Sequence, residues 1–155
     1  MLIVDETGDP KRGSRIVLAA PQYLGKLGHV ANGVVAVTSH WTDGSRHVPV
    51  GVKPARPASR LPKGKRDPAF HTKPALAWEL IEQARAADIP FRLVVADSVY
   101  GEGEGENAQR EARLFTARIP YIMGLRPSHG PWQVVEDERH PPAFTSRPPQ
   151  RPSAC

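Results

Sequence analysis

The order of the apolar runs along the chain is the feature that most constrains its fold. Three β-prone runs joined by glycine-containing turns come first, and they predict an antiparallel meander. Two helical patterns then alternate with two further apolar runs, which predicts an α/β fold with one mixed sheet and helices packed on it. The predicted elements are strands at 2–4, 15–23 and 33–41, a helix at 74–88, a strand at 91–96, a helix at 107–118 and a strand at 120–125.

The helix predicted at 74–88 has the clearest pattern in the chain. Thr72 is suited to cap its first turn and Pro74 to begin it. Apolar residues recur at helical spacing, so one face of this helix should pack on the sheet. That face consists of Leu76, Leu80, Ile81 and Ala84.

Two segments show no periodicity. Residues 46–72 are rich in proline and in basic side chains, with Asp67 as their one acid, and this composition predicts a long loop. Such a loop is either a solvated insertion or an arm that contacts the DNA backbone. Residues 136–155 are rich in proline and poor in apolar residues, so we expect a disordered tail after a folded core at 1–135.

Length, charge and cysteine content limit the class of protein. The chain has 155 residues and a formal net charge of +5, which suits one domain and a polyanionic partner. Its one cysteine, Cys155, makes no internal disulfide, which favours a reducing, cytoplasmic compartment. The chain contains neither a membrane-spanning run nor a secretory signal, so no membrane partner is expected. Because Met1 begins a predicted strand, we expect further residues upstream.

Two aspartates have matching surroundings. Asp5 and Asp97 each follow an apolar strand and are each followed within four residues by glycine. If the two strands are neighbours, the carboxylates lie side by side and repel each other, and a divalent cation would relieve that repulsion. Two such ions held close together can activate a nucleophile and stabilise the leaving oxygen of a phosphodiester, and this arrangement favours its cleavage. The alternative is that each aspartate only forms a turn after its strand.

Several segments, in order, resemble the bacterial insertion-sequence transposases of the DDE type. The resemblance extends from about residue 2 to about residue 144 and keeps the order and approximate spacing of the family's motifs. The segments that carry it are Leu2–Gly8, Lys11–Ser14, Gln22–Gly25, Phe70–Ala77, Val94–Gly101, Ile119–Ile122 and Ser128–Trp132.

This resemblance implies a ribonuclease-H-like fold with Asp5 and Asp97 as the first two catalytic acids and ligands of Mg²⁺ or Mn²⁺. The implied reaction is hydrolysis at the transposon end, followed by attack of the freed 3′-hydroxyl on target DNA. The expected partner is DNA in a bacterial nucleoid, and a homodimer is compatible with this function. The cations expected to contact DNA are Lys11, Arg12, Lys63, Lys65, Arg66 and Lys73.

The chain departs from the family's pattern at the third acid, a glutamate on a later helix. Glu136, Asp137 and Glu138 come too early and lie in a stretch that does not read as a helix. We therefore expect a truncated catalytic core, incomplete at its C-terminus, with weak or no transposition by itself. Two other hypotheses stay open: a non-catalytic DNA-binding remnant, and an unrelated metal-dependent phosphohydrolase.

Overall fold

A computed structural model describes residues 1–13, 15–101, 114, 116–124, 132–137 and 140–146. The chain divides into two compact units, Met1–Gly124 and Leu125–Cys155. The first unit contains a six-stranded mixed sheet, so the predicted α/β class is confirmed, and its arrangement is consistent with a ribonuclease-H-like fold. Its elements are β1 (Leu2–Pro10), β2 (Ala20–Leu24), β3 (His29–Thr42), β4 (His47–Pro54), α1 (Lys73–Ala86), β5 (Val94–Ala96), α2 (Ser98–Gly101) and β6 (Tyr121–Met123).

The long strand β3 organises the antiparallel half of the sheet. The strand order is β2-β3-β1-β5-β6, and β4 also pairs with β3. Pairing is antiparallel among β1 to β4 and parallel between β1 and β5 and between β5 and β6. The antiparallel start is thus confirmed, but the simple meander is wrong, because β3 rather than β2 lies beside β1.

Two of the predicted strands have different limits. β1 continues through Asp5 to Pro10, because residues 5–10 pair with β3. The predicted strand at 15–23 is wrong over its first half: Ala19 N–H donates to the Ile16 carbonyl at 3.0 Å, which closes a turn. Val17 lies in that turn with 71% of its surface exposed, so β2 begins only at Ala20.

The prediction that residues 46–72 form a loop is wrong for its first part, which is β4. Among the strands that the structure describes, β4 pairs with β3 alone, and the register shifts between Ser39 and His40, where Pro49 lies opposite His40. Proline lacks a donor N–H and is tolerated on edge strands and at bulges. After β4, two single-turn 3-10 helices, Ala58–Arg60 and Gly64–Arg66, replace the expected irregular chain.

Helix α1 covers one face of the sheet, as predicted. The Thr72 hydroxyl caps it by accepting a hydrogen bond from Ala75 N–H at 3.3 Å. All four residues of the predicted apolar face are buried, and they pack in one core with Leu2, Val4 and Val94. None of the helices in the described ranges is long and apolar enough to cross a membrane.

The remaining predictions concern the C-terminal part of the chain. Most of the helix predicted at 107–118 lies outside the described residues, although Leu114 and Thr116 are helical. In the second unit, β7 (Trp132–Asp137) pairs antiparallel with β8 (His140–Ser146). Residues 136–137 and 140–146 of the expected disordered tail belong to these strands, whereas 138–139 and 147–155 lie outside the described residues.

Candidate active site

The parallel pairing of β1 with β5 brings Asp5 and Asp97 together. The register runs from Leu2 opposite Val94 to Val4 opposite Ala96, so the two aspartates are the next residues along the two neighbouring strands. The prediction that these strands are neighbours is confirmed. Asp5 does not end its strand, however, because β1 continues along β3, where Thr38 Oγ1 donates to the Asp5 carbonyl at 3.1 Å.

Short backbone hydrogen bonds hold both carboxylates. Oδ1 of Asp5 accepts from Glu6 N–H at 2.7 Å, and Oδ1 of Asp97 accepts from Val99 N–H at 3.0 Å. The Asp97 carbonyl also accepts from Tyr100 N–H at 3.1 Å. Asp97 therefore forms the turn that the alternative interpretation expected, while its carboxylate stays exposed beside Asp5.

The pKa of Asp97 shows the electrostatic character of this site. Partial burial raises the pKa of its carboxyl group above the ordinary value, and the charges of Asp5 and Glu6 raise it further. The hydrogen bond from Val99 and the charge of Lys73 act in the opposite direction but do not cancel the rise. Partial burial, together with the neighbouring carboxylates, thus makes ionisation of Asp97 less favourable, a condition that a bound cation would relieve.

Glu6 is the residue of this site that sequence reasoning missed. Side chains alternate along β1, so Glu6 follows Leu2 and Val4 onto the face that α1 covers, whereas Asp5 is on the other face. Oε2 of Glu6 lies 2.5 Å from Nζ of Lys73, with 15% of the glutamate side chain and 27% of the lysine side chain exposed. The period-two burial of β1 and the basic start of α1 were the signals that could have predicted this ion pair.

The structure separates the cations predicted to contact DNA into two groups. Lys73 is paired with Glu6, and Lys11 is paired with Asp9. Arg12, Lys63, Lys65 and Arg66 are exposed, the last two at the end of the second 3-10 helix. Their contact with DNA stays a prediction.

The segment that contains the two 3-10 helices, residues 58–66, is called the 3-10 segment below. It is hydrogen-bonded to the chain beside the sheet and is not a freely solvated loop. Arg60 Nε donates to the Ala19 carbonyl at 2.9 Å, next to β2. Asp67 accepts from the N–H groups of Lys63 and Ala69, which closes the second turn. Lys63, Lys65 and Arg66 therefore project from an ordered part of the surface.

The donor set of Asp5 and Asp97 fits a hard divalent cation. Mg²⁺ is usually bound through one or two carboxylates, with water and substrate phosphate oxygens as its other ligands. Among the described residues no group of three or more histidine, cysteine, aspartate or glutamate side chains could hold a metal. The described protein thus contributes two adjacent carboxylates and leaves the other positions to water and substrate.

The third acid of the family has no counterpart in the described part of the chain. Glu136 and Asp137 lie on β7, so the prediction that they do not belong to a helix is confirmed. Glu138 lies outside the described residues.

Comparison with known proteins supports the resemblance seen in the sequence. The family described as "DDE superfamily endonuclease" matches residues 1–153. The chain is also similar to the "Probable transposase for insertion sequence element IS701" of Microchaete diplosiphon, with 37% identity over 129 residues. That alignment covers 83% of this chain but 32% of the relative, so the chain spans about a third of the relative's length. No solved structure matches the chain. The chain belongs to the DDE superfamily of endonucleases.

Proposed function

We propose that the chain is part of a transposase that cleaves and joins DNA at the ends of an insertion sequence, using Mg²⁺ or Mn²⁺ held by Asp5 and Asp97. The observation that carries this proposal is the β1–β5 register, which sets the two aspartates side by side on adjacent parallel strands. Membership of the DDE endonucleases supports DNA as the substrate. DNA cleavage is proposed here as the chemistry for which this pair of carboxylates is suited.

The proposed roles of the side chains follow from their positions. Asp5 and Asp97 would hold the cation, whose chemistry is to activate the attacking oxygen and to stabilise the leaving oxygen of a phosphodiester. The hydrogen bonds from Glu6 and Val99 orient the two carboxylates before the cation binds. Lys73 forms an ion pair with Glu6, so the charge of this third carboxylate near Asp5 and Asp97 is already compensated.

DNA is held, in this proposal, by cations away from the carboxylates. Arg12 and the exposed group Lys63, Lys65 and Arg66 contact the backbone, and Lys11 joins them when its pair with Asp9 opens. Such contacts are independent of sequence and weaken as salt is added. The proposed place of action is the bacterial nucleoid, and strand transfer between two ends would suit a homodimer.

Activity of this chain alone is proposed to be weak or absent. The relative is about three times as long as the aligned segment, and the described residues supply two carboxylates where the family uses three acids. The same observation favours the second candidate, a DNA-binding remnant without catalysis. The third hypothesis, an unrelated phosphohydrolase, needs a further acid or histidine beside Asp97. Glu6 is a nearby acid, but it pairs with Lys73, and no group of three such side chains among the described residues could hold a metal.

Metal binding by the aspartate pair is the direct test. We would titrate the chain with Mn²⁺ and follow the free ion by electron paramagnetic resonance. Binding should be lost in Asp5→Asn and in Asp97→Asn and retained in Asp9→Asn. Asp9 is a matched control, since it lies on β1 with an exposed side chain paired to Lys11.

A nicking assay on DNA then separates the two candidate functions. Weak Mn²⁺-dependent nicking that both aspartate variants abolish would support a catalytic core. DNA binding that survives both substitutions, without nicking, would identify the non-catalytic remnant. Equal Mn²⁺ binding by all three variants and the unchanged chain would refute the aspartate pair as a metal site.

A further inference from the structure

An open depression lies between the end of β4 and the start of α1, outside the aspartate pair. Its volume is about 270 Å³, and it is lined by Pro54, Arg56, Ala69, His71 and Leu76. We call this depression the His71 notch. It places an arginine and a histidine from two different segments around one concave surface.

His71 is held in a defined orientation by a carboxylate. Its Nδ1 lies 2.6 Å from Oε1 of Glu79, while Oε2 of Glu79 accepts from Nζ of Lys53 at 2.6 Å. Burial acts to raise the pKa of Glu79, but the hydrogen bonds from Lys53 and His71 prevail and lower it. An ionised carboxylate only accepts hydrogen bonds, so Nδ1 of His71 must donate, which leaves Nε2 as the ring nitrogen available to a ligand.

The charge of the notch favours an anion. Lys53 and Glu79 form an ion pair and compensate each other. Arg56 is exposed and makes no salt bridge among the described residues, so its guanidinium adds an uncompensated positive charge. An arginine fork presents several N–H donors in one plane, a geometry that matches phosphate or carboxylate oxygens.

The surroundings of the notch point to phosphate in a nucleic-acid backbone rather than to a free anion. The depression is open, and its lining residue Ala69 follows the ordered segment that exposes Lys63, Lys65 and Arg66. On the other side, Lys73 follows His71 by two residues, a reach of roughly 7 Å at most, and it contacts Glu6 beside Asp5. Along the chain, basic residues thus stand on both sides of the notch residues Ala69 and His71, and the one that follows them contacts Glu6 next to Asp5.

We propose that the His71 notch binds one phosphate group of the DNA backbone. Arg56 donates to its oxygens, and His71 donates to them from Nε2 when both of its ring nitrogens carry a proton. Glu79 is a positioning residue that holds Nδ1 of His71 and so leaves Nε2 for the phosphate. This inference rests on the proposed function for its ligand, DNA, but it does not require that Asp5 and Asp97 bind metal.

Binding of a fluorescent 20-base-pair duplex of arbitrary sequence tests the notch. Anisotropy would be measured from about 0.05 to 0.2 M salt, the range in which phosphate contacts dominate affinity. We expect Arg56→Gln to weaken binding roughly tenfold at the lower salt and to reduce the slope of log K against log salt by about one. The matched control is Arg92→Gln, which removes an equally exposed arginine that lines a different depression.

Equal effects of the two arginine substitutions would overturn the proposal, because they would show a response to total charge alone. Failure of the unchanged chain to bind the duplex at low salt would also overturn it. Inorganic phosphate distinguishes the two sources of the ligand. Saturable binding of phosphate in the notch, without loss of DNA affinity in Arg56→Gln, would assign the notch to a free anion and refute the DNA contact.

The role of Glu79 needs a readout that a merely structural residue would not change. The ¹⁵N chemical shifts of the His71 ring should show a proton on Nδ1 in the unchanged chain and a mixture of tautomers in Glu79→Gln. His71→Gln should weaken DNA binding, and Glu79→Gln should weaken it less. An unchanged tautomer in Glu79→Gln would refute the positioning role.

The two proposals fail separately. Retained Mn²⁺ binding in Asp97→Asn, with the expected loss of DNA affinity in Arg56→Gln, would refute the metal site and leave the notch intact. Normal Mn²⁺ binding in Arg56→Gln, with the affinity for DNA also unchanged, would refute the proposal for the His71 notch and leave the proposal for the metal site standing.

Discussion

Replacing Asp97 by asparagine should stabilise the metal-free protein at pH 7, although it removes a proposed catalytic acid. Asparagine keeps the oxygen that accepts the hydrogen bond from Val99 and removes the charge that repels Asp5 and Glu6. Neighbouring strands lie roughly 4.8 Å apart. At that separation two unit charges repel by about 1 to 3 kcal/mol for an effective dielectric constant between roughly 80 and 20.

The measurable gain is smaller than this Coulomb energy. Both carboxylates are exposed, so they can turn away from each other and are screened by water and salt. We therefore expect a gain of about 0.5–1 kcal/mol, equivalent to a rise of roughly 1–4 °C in the melting temperature for a chain of this size. Thermal unfolding followed by circular dichroism, in buffer with a chelator, measures it.

The sign of the pH dependence follows from the direction of the pKa shift. Because folding raises the pKa of Asp97, the ionised group lowers stability above that pKa, and the penalty disappears below the ordinary value of 3.8. The advantage of Asp97→Asn should therefore shrink as the pH is lowered from 7 towards 4, and also in about 1 M salt.

Asp9→Asn provides the control for this prediction. Folding lowers the pKa of Asp9 through the hydrogen bond and charge of Lys11, so removing this carboxylate should bring no gain. If Asp97→Asn melted at or below the temperature of the unchanged chain at pH 7, the repulsion between the aspartates would be refuted.

Two further predictions concern the packing and capping that position the site. Gly33→Ala should lower the free energy of unfolding by about 1–3 kcal/mol, since the added Cβ would lie 2.7 Å from the Asp9 carbonyl and 2.8 Å from Cδ1 of Leu24. In urea denaturation the control Gly25→Ala, with open space around it, should be near neutral, and equal midpoints for the two variants would contradict this reasoning. Thr72→Ala should cost about 1 kcal/mol by removing the cap of α1, with Thr72→Ser retaining most of that stability. If the serine variant were as unstable as the alanine variant in the same assay, the hydroxyl cap would not be responsible.

The elements that bury a regular apolar pattern were predictable from the sequence. Leu76, Leu80, Ile81 and Ala84 face the core because burial of one helix face dominates the local energetics. That the two strands before Asp5 and Asp97 are neighbours was the condition on which the metal site depended, and their parallel pairing fulfils it. The apolar runs predicted the strands, and the family resemblance singled out the two acids.

The elements that depend on long-range pairing were not predictable in the same way. Pro49 and Pro54 made residues 47–54 resemble a loop, and only pairing with β3 along one edge reveals a strand that tolerates them. Likewise, β1 continues past Asp5 because β3 lies beside it, a partner about 30 residues away in sequence. The pairs of Glu6 with Lys73 and of Glu79 with Lys53 also join segments distant in sequence.

The distribution of cations among the carboxylates is the strongest physical argument for function in this chain. The chain carries 21 lysines and arginines against 16 acids, so partners for its carboxylates are plentiful. Glu79 contacts two basic side chains and Glu6 contacts one. Asp5 and Asp97 make no salt bridge among the described residues, although partial burial and the nearby charge of Asp5 raise the pKa of Asp97. The fold thus pairs Glu6 and Glu79 with basic side chains but leaves Asp5 and Asp97 without such a partner. Holding these two carboxylates close together lowers the stability of the metal-free protein. Such a cost is typical of sites whose missing charge is supplied by a ligand, here a divalent cation.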